Sequence, residues 1–244
     1  MKAFEFFSAK RQQFAQRAQA AFAQYKEAKK QRGMTLLEVI IVLGIIGTIA
    51  AGVVVLAQRA FDSRTVSEVV QNTNTIRVAM KDAFSSSGSY PADYGNILTL
   101  NSSTITSSTA TGPITSLVKL GKIGVEEARN KISGDFYAVG GGLTAAEQRN
   151  PKGFVVEVNG LTSAQCRSIL SQVGNNWDYV ATSVNAGPGV YSIATAGVSL
   201  IDAAQDKTDG VLKSLTNANN ISPDLIVKVC NDPGANNSII LGSR

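Results

Sequence analysis

The spacing of hydrophobic positions changes along this chain. From Val39 to Ala57, nineteen consecutive residues carry no charge. A helix needs ~20 residues at ~1.5 Å each to cross a hydrocarbon core, so this run is long enough. Glu38 is the sole charge between Gly33 and Ala57. Gly44, Gly47 and Gly52 punctuate the run without forming a G-x-x-x-G pair, and no proline breaks it. A backbone in lipid must satisfy its own hydrogen bonds, so helix is the expected state. From Gln58 to Ser85 the pattern becomes amphipathic. Phe61, Val66, Val69, Val70, Thr73, Ile76, Met80, Ala83 and Phe84 recur at helical spacing between charged residues, a stripe suited to covering a core. One helix is predicted from about Thr35 to Phe84, ended by Ser85–Gly88 and Tyr90-Pro91.

Residues 86–152 lose this periodicity and are rich in Ser, Thr and Gly. The stretch NSSTITSSTATG, 101–112, reads as a solvent-facing loop. Short helices are expected at Ile114–Leu120 and Val125–Ile132. Gly140-Gly141-Gly142 lacks the spacing and the following Lys-Ser/Thr of a phosphate loop and is expected to be a flexible turn. Residues 153–244 read as a sheet region. Strands are expected at Phe154–Val158 (closed by an Asn159-Gly160 turn), Trp177–Thr182, Gly189–Ala194 and Ser238–Leu241. Thr162 and Gln165 have capping-box spacing, which predicts a helix from about Ser163 to Val173. Asp209–Leu215 is expected to be helical. Ser222-Pro223 fits an N-cap and first helical position for a short helix reaching Cys230.

The formal charge of +5 invites a nucleic-acid reading, and its distribution removes it. Residues 1–33 hold eight Lys/Arg against Glu5 and Glu27, leaving a net of −1 for residues 34–244. Cations beside an apolar span read as a cytoplasmic flank under the positive-inside rule. A basic amphipathic helix lying on a membrane is the runner-up. Residues 1–32 carry a weak aromatic stripe through Phe4, Phe7, Phe14, Phe22 and Tyr25, and a discarded leader is a simpler reading than a docking helix. The apolar run is too long for an ordinary secretory peptide.

Two cysteines, Cys166 and Cys230, stand far beyond the apolar run. If that part of the chain is exported they pair, closing a loop worth ~4 kcal/mol in the chain-entropy model. Otherwise they are two buried thiols. There is no histidine. That excludes catalytic triads built on imidazole and histidine zinc sites, and two thiols cannot complete a four-thiolate site. Asp202, Asp206 and Asp209 lack the late Glu of a calcium loop and read as solvated surface. No catalytic residue, cofactor or metal site is expected, and the chain is not read as an enzyme.

The basic leader, Arg32-Gly33, Met34-Thr35-Leu36-Leu37-Glu38 and the apolar run together resemble the class III signal of the type IV pilins. The long leader and a methionine as first mature residue resemble the type IVb group. The stretches MTLLEVIIVLGIIG, VVVLAQRAFDSRT, GLTSAQCRSILSQVG and NNWDYV are similar to the major pilins of enteric colonisation pili. Those are the toxin-coregulated pilus and, more closely, the longus and colonisation factor III group, and the similarity spans nearly all of residues 29–244.

The resemblance implies an α+β fold, a long N-terminal α-helix, transmembrane in its first half, packed on an antiparallel β-sheet head. It implies a leader at 1–33, an apolar assembly helix at 34–57 and its amphipathic continuation at 58–85. An αβ-loop region at 86–152 and a sheet domain at 153–244 follow, with a disulfide-bounded region between Cys166 and Cys230. Prepilin peptidase would cut between Gly33 and Met34, and Met34 would become N-methylated. Glu38 would neutralise the terminal amine of Met34 on a neighbouring subunit. That role fits the physics, because a carboxylate in lipid costs ~2.5–3.5 kcal/mol unless a cation reaches it. The implied partners are identical subunits in a homopolymer, the peptidase, the inner-membrane assembly machinery, and a host surface or other bacteria, with no nucleic acid. The implied location is the inner membrane of a Gram-negative bacterium, then an extracellular pilus used in aggregation, adhesion and colonisation. A minor pilin or a type II secretion pseudopilin is the alternative. A membrane-anchored binding protein that never polymerises is less favoured.

Overall fold

The computed structural model describes residues 35–193, 197–202 and 210–244. The leader 1–33, the Gly33–Met34 junction, Asp206 and Asp209 lie outside these residues. The chain divides into two compact units between Gln58 and Arg59. Helix α1, Leu36–Phe84, begins in the first unit and supplies the first element of the second.

Within the second unit, Val66, Val69, Thr73, Ile76 and Met80 of α1 are buried. Their steps of three and four residues put them on one face of the helix, as the stripe predicts. Phe61 precedes the first position that reaches the core and stays 66% exposed. A 3₁₀ turn at Ser85–Ser87 and Gly88 at φ +68° end the helix. Helix α2, Pro113–Lys119, follows, with proline in its first turn. Then come β1 (Ala138–Leu143), β2 (Gly153–Leu161), α3 (Ser163–Val173), β3 (Tyr179–Ser183), β4 (Val198–Ser199), β5 (Gly210–Lys213), α4 (Pro223–Val229) and β6 (Asn237–Ser243).

The described strands form one sheet in the order β4-β1-β2-β6-β3-β5. The last strand in sequence thus lies in the interior of the sheet, antiparallel to both β2 and β3. Every residue of β2 and β6 is buried. A strand covered on both faces reads as a continuous apolar run rather than an alternation. Four pairings are antiparallel, as expected, and β1·β4 at one edge is parallel. β1 and β4 are separated in sequence by β2, α3 and β3, so no hairpin joins them and parallel pairing is open.

Several local expectations give way to other contacts, most of them distant in sequence. Gly140-Gly141-Gly142 is strand β1, not a turn. A Cβ at Gly141 would lie 2.5 Å from Pro151 Cγ and 2.8 Å from Ala92 Cα, so the glycines serve close approach. Asn159-Gly160 does not close β2, which runs on to Leu161 with a register shift after Val158 and Gly160 at φ +71°. Residues 125–132 form turns, not a helix. The Gly124 N–H is taken by Glu127 Oε2 at 2.7 Å, and Arg129 bridges Phe136 in an antiparallel pair. Residues 189–193 form no strand, because the Ser192 and Ile193 N–H groups go to a side chain, that of Glu157. The stretch expected to be helical at 209–215 holds strand β5 instead, paired with β3. Ile114–Leu120 and Trp177–Thr182 are shifted by one or two residues at their ends.

Candidate functional site

The first unit presents an apolar helix with one carboxylate near its start. Thr35 precedes the first helical residue, and the Glu38 N–H donates to its Oγ1 at 3.2 Å. Thr35 therefore caps one of the orphan donors of the first turn. Glu38 stands at the third helical position, where a negative side chain complements the positive end of the helix dipole. Its side chain is exposed. So are Leu36, Ile40, Leu43 and Ile46 beside it. Among the described residues one helix is long and apolar enough to cross a membrane, and none of its most apolar window is buried. Lone surface leucines need no explanation, but a whole helix of them requires an apolar surrounding.

The second site is the covalent link in the head. Cys166 on α3 and Cys230 at the end of α4 form a disulfide with Cα atoms 5.7 Å apart, and both are fully buried. The sequence places both ends well. Thr162 and Gln165 form a complete capping box that starts α3, and Ser222 Oγ accepts the Leu225 N–H at 3.3 Å to start α4. Arg167, one residue after Cys166, donates through Nε to the Cys230 carbonyl at 3.1 Å. That bond occupies a carbonyl just past the end of α4.

Two polar arrangements in the head escaped the sequence reading. Arg77 of α1 lies 4.8 Å over the Trp177 ring and donates to the Asn176 carbonyl at 2.9 Å and to Ser243 Oγ at 3.2 Å. It pins α1 to the sheet at the C-terminal strand. Glu157, in the middle of β2, is fully buried, and its carboxylate accepts the N–H groups of Ser192 and Ile193 at 2.9 and 3.0 Å. Burial pushes its carboxyl above the usual carboxylate range, and the two backbone donors offset part of that rise. One sequence signal pointed to it, a lone acid inside the apolar run FVVEV. No group of His, Cys, Asp and Glu able to hold a metal exists among the described residues.

A family model for the toxin-coregulated pilus subunit matches residues 116–241, and one for the prokaryotic N-terminal methylation motif matches residues 28–54. The toxin coregulated pilin of Vibrio cholerae serotype O1 (strain ATCC 39315 / El Tor Inaba N16961) is 38% identical over 185 residues, 76% of each chain. The chain belongs to the toxin-coregulated pilus subunit family. A second Vibrio cholerae toxin coregulated pilin is 40% identical over 190 residues, 77% of each chain. The crystal structure of TcpA, a type IV pilin from Vibrio cholerae El Tor biotype, has the same fold. Its TM-score is 0.56 at 24% identity, with 74% of this chain and 99% of that one covered. This pilin is a structural subunit of a type IV pilus, not an enzyme. It is a membrane-anchored precursor that becomes a surface filament.

Proposed function

We propose that a prepilin peptidase removes residues 1–33 by cutting between Gly33 and Met34, and that Met34 is then N-methylated. The apolar segment 34–57 holds the subunit in the inner membrane of a Gram-negative cell, with the Lys/Arg-rich flank on the cytoplasmic side. On assembly, helix contacts replace lipid contacts, and Glu38 of the incoming subunit meets the amine of Met34 on a neighbour. Amphipathic segment 58–85, loop region 86–152 and sheet region 153–244 form the part outside the membrane, with 166–230 as its disulfide-bounded portion. A head-to-tail contact repeated by a rotation that does not close gives an open helical polymer. The filament serves aggregation, adhesion to a host surface and colonisation.

The observation that supports this most directly is the single exposed carboxylate in the first turn of α1, at the start of the helix's apolar and unburied segment. Intact-mass analysis and N-terminal sequencing of filaments sheared from cells test it. The expected chain starts at Met34 and carries one extra methyl group. A chain starting at Met1 and confined to the membrane fraction overturns the reading in favour of an anchored binding protein.

A further inference from the structure

A recess of about 190 Å³ opens where segments 97–101, 129–136 and 189–191 converge. Three side chains give it chemistry. The Arg129 guanidinium lies over Phe136, 5.9 Å from the ring centroid. Its Nε and Nη2 donate to the Gly134 carbonyl at 3.2 and 2.7 Å, and Nη1 donates to Ser102 Oγ at 3.1 Å. Each terminal nitrogen keeps a second N–H. No carboxylate lies within ion-pair distance of Arg129 among the described residues. Asp135 commits Oδ2 to the Asn159 Nδ2–H and the Gly189 N–H, both at 2.7 Å. Its Oδ1 has no hydrogen bond among the described residues. Tyr191 donates its hydroxyl to the Phe136 carbonyl and packs 5.8 Å from Tyr94, so its ring is fixed from both ends.

These groups select a chemistry. An arginine alone would favour an anion, but the Asp135 carboxylate lining the same recess opposes one. The volume lies below the ~300–1,000 Å³ typical of pockets for drug-sized ligands. A charged donor and a charged acceptor lining one recess with aromatic rings match a small neutral molecule with an apolar face and a rim of hydroxyls that both donate and accept. We propose that this recess binds a single neutral sugar ring. Hydroxyls donate to Asp135 Oδ1 and accept from Arg129, and the C–H face of the ring lies on Tyr191. Asp135, Arg129 and Tyr191 are each anchored by other bonds, so little ordering is needed on binding. The site requires neither leader cleavage nor polymerisation, so its failure leaves the filament reading intact.

Saturation-transfer NMR on the full chain in detergent and on sheared filaments tests it. The probes are the methyl glycosides of glucose, galactose, mannose and N-acetylglucosamine. Ring protons of at least one glycoside receive saturation in both samples. Asp135→Asn keeps an oxygen for Asn159 and Gly189 while losing the charge, and Arg129→Met keeps the stem while losing the donors. Each weakens binding about tenfold, the scale of a hydrogen bond to a charged group, while Lys122→Gln, outside the recess, leaves it unchanged. If Asp135→Asn loosens the 189–191 segment, Arg129→Met still reports on the recess. Absence of transfer to every glycoside, or unchanged affinity in Arg129→Met, overturns the proposal. Binding in detergent that vanishes in filaments overturns it as well, because a neighbouring copy then fills the recess.

Discussion

Glu157 gives the head a pH dependence with a definite sign. Its neighbours on the sheet are Ala138 of β1 and Ile240 of β6, neither of which offers a charge. Burial is the largest influence, and it raises the carboxyl pKa in the folded protein. A group whose folded pKa is raised contributes stability that is full below its unfolded pKa, ~4.3 for glutamate. That contribution is lost as pH rises through the folded value. Glu157→Gln stays neutral and keeps one oxygen for the Ser192 and Ile193 N–H groups. The unfolding free energy of the wild type, measured against Glu157→Gln by denaturant titration of the head signal, should therefore fall as the pH rises above ~4.3. A difference that stays flat or rises with pH would mean that the backbone donors outweigh burial. The lone acid of FVVEV was visible in the sequence. Its partners were not, because they lie 35 and 36 residues further on in a loop with no motif of its own.

At the scale of elements, the disulfide joins two helices that also pack against each other, with Arg167 of α3 donating to the Cys230 carbonyl. Cys166 sits in the second turn of α3, and Cys230 caps α4. Replacing both by serine should cost the head ~4 kcal/mol, from the entropy of a loop with sequence separation 64. Chemical denaturation of the oxidised protein against the double variant measures it. The midpoint should drop, and α4 should lose protection from hydrogen exchange before β2 and β6 do. A midpoint unchanged within error would show that the Arg167 contacts and α3–α4 packing hold the region alone. The helices here were legible because their signals are local: the stripe of α1, the Thr162 and Gln165 box of α3, and Ser222-Pro223 of α4. The edges of the sheet were not. Strand β5 looks helical in isolation and is a strand because β3 pairs with it. Residues 125–132 look helical and are held in turns by Glu127 and by the Arg129–Phe136 bridge. Gly140–Gly142 looks like a turn and is a strand because Pro151, Ala92 and Leu200 press on it. In β5 and in Gly140–Gly142 a contact distant in sequence overrides a local preference, whereas in 125–132 short-range hydrogen bonds hold the turns instead of a helix.

For the whole molecule, the proposed assembly turns on Glu38, and two physical roles compete for it. As a third-position acid behind the Thr35 cap it contributes ~0.3–1 kcal/mol to its own helix. As the partner of a neighbour's Met34 amine it contributes the difference between a paired and an unpaired charge out of water, ~3–5 kcal/mol when one partner of such a pair is removed. Glu38→Gln separates the two. It removes the cost of placing a carboxylate in lipid, so the isolated precursor should insert, fold and form its Cys166–Cys230 disulfide at least as well as the wild type. Each subunit added to a filament would meanwhile lose ~3 kcal/mol, which raises the subunit concentration needed for growth by roughly a hundredfold. Since every addition meets the same penalty, filaments should vanish rather than shorten. Shearing cells that express equal amounts of each protein, then weighing pelleted pili against oxidised subunit left in the membrane, reads both quantities at once. A full membrane pool with almost no pili is the expected result. Normal pilus yield from Glu38→Gln would reduce Glu38 to a helix cap and leave the stagger between subunits to be set by apolar packing alone.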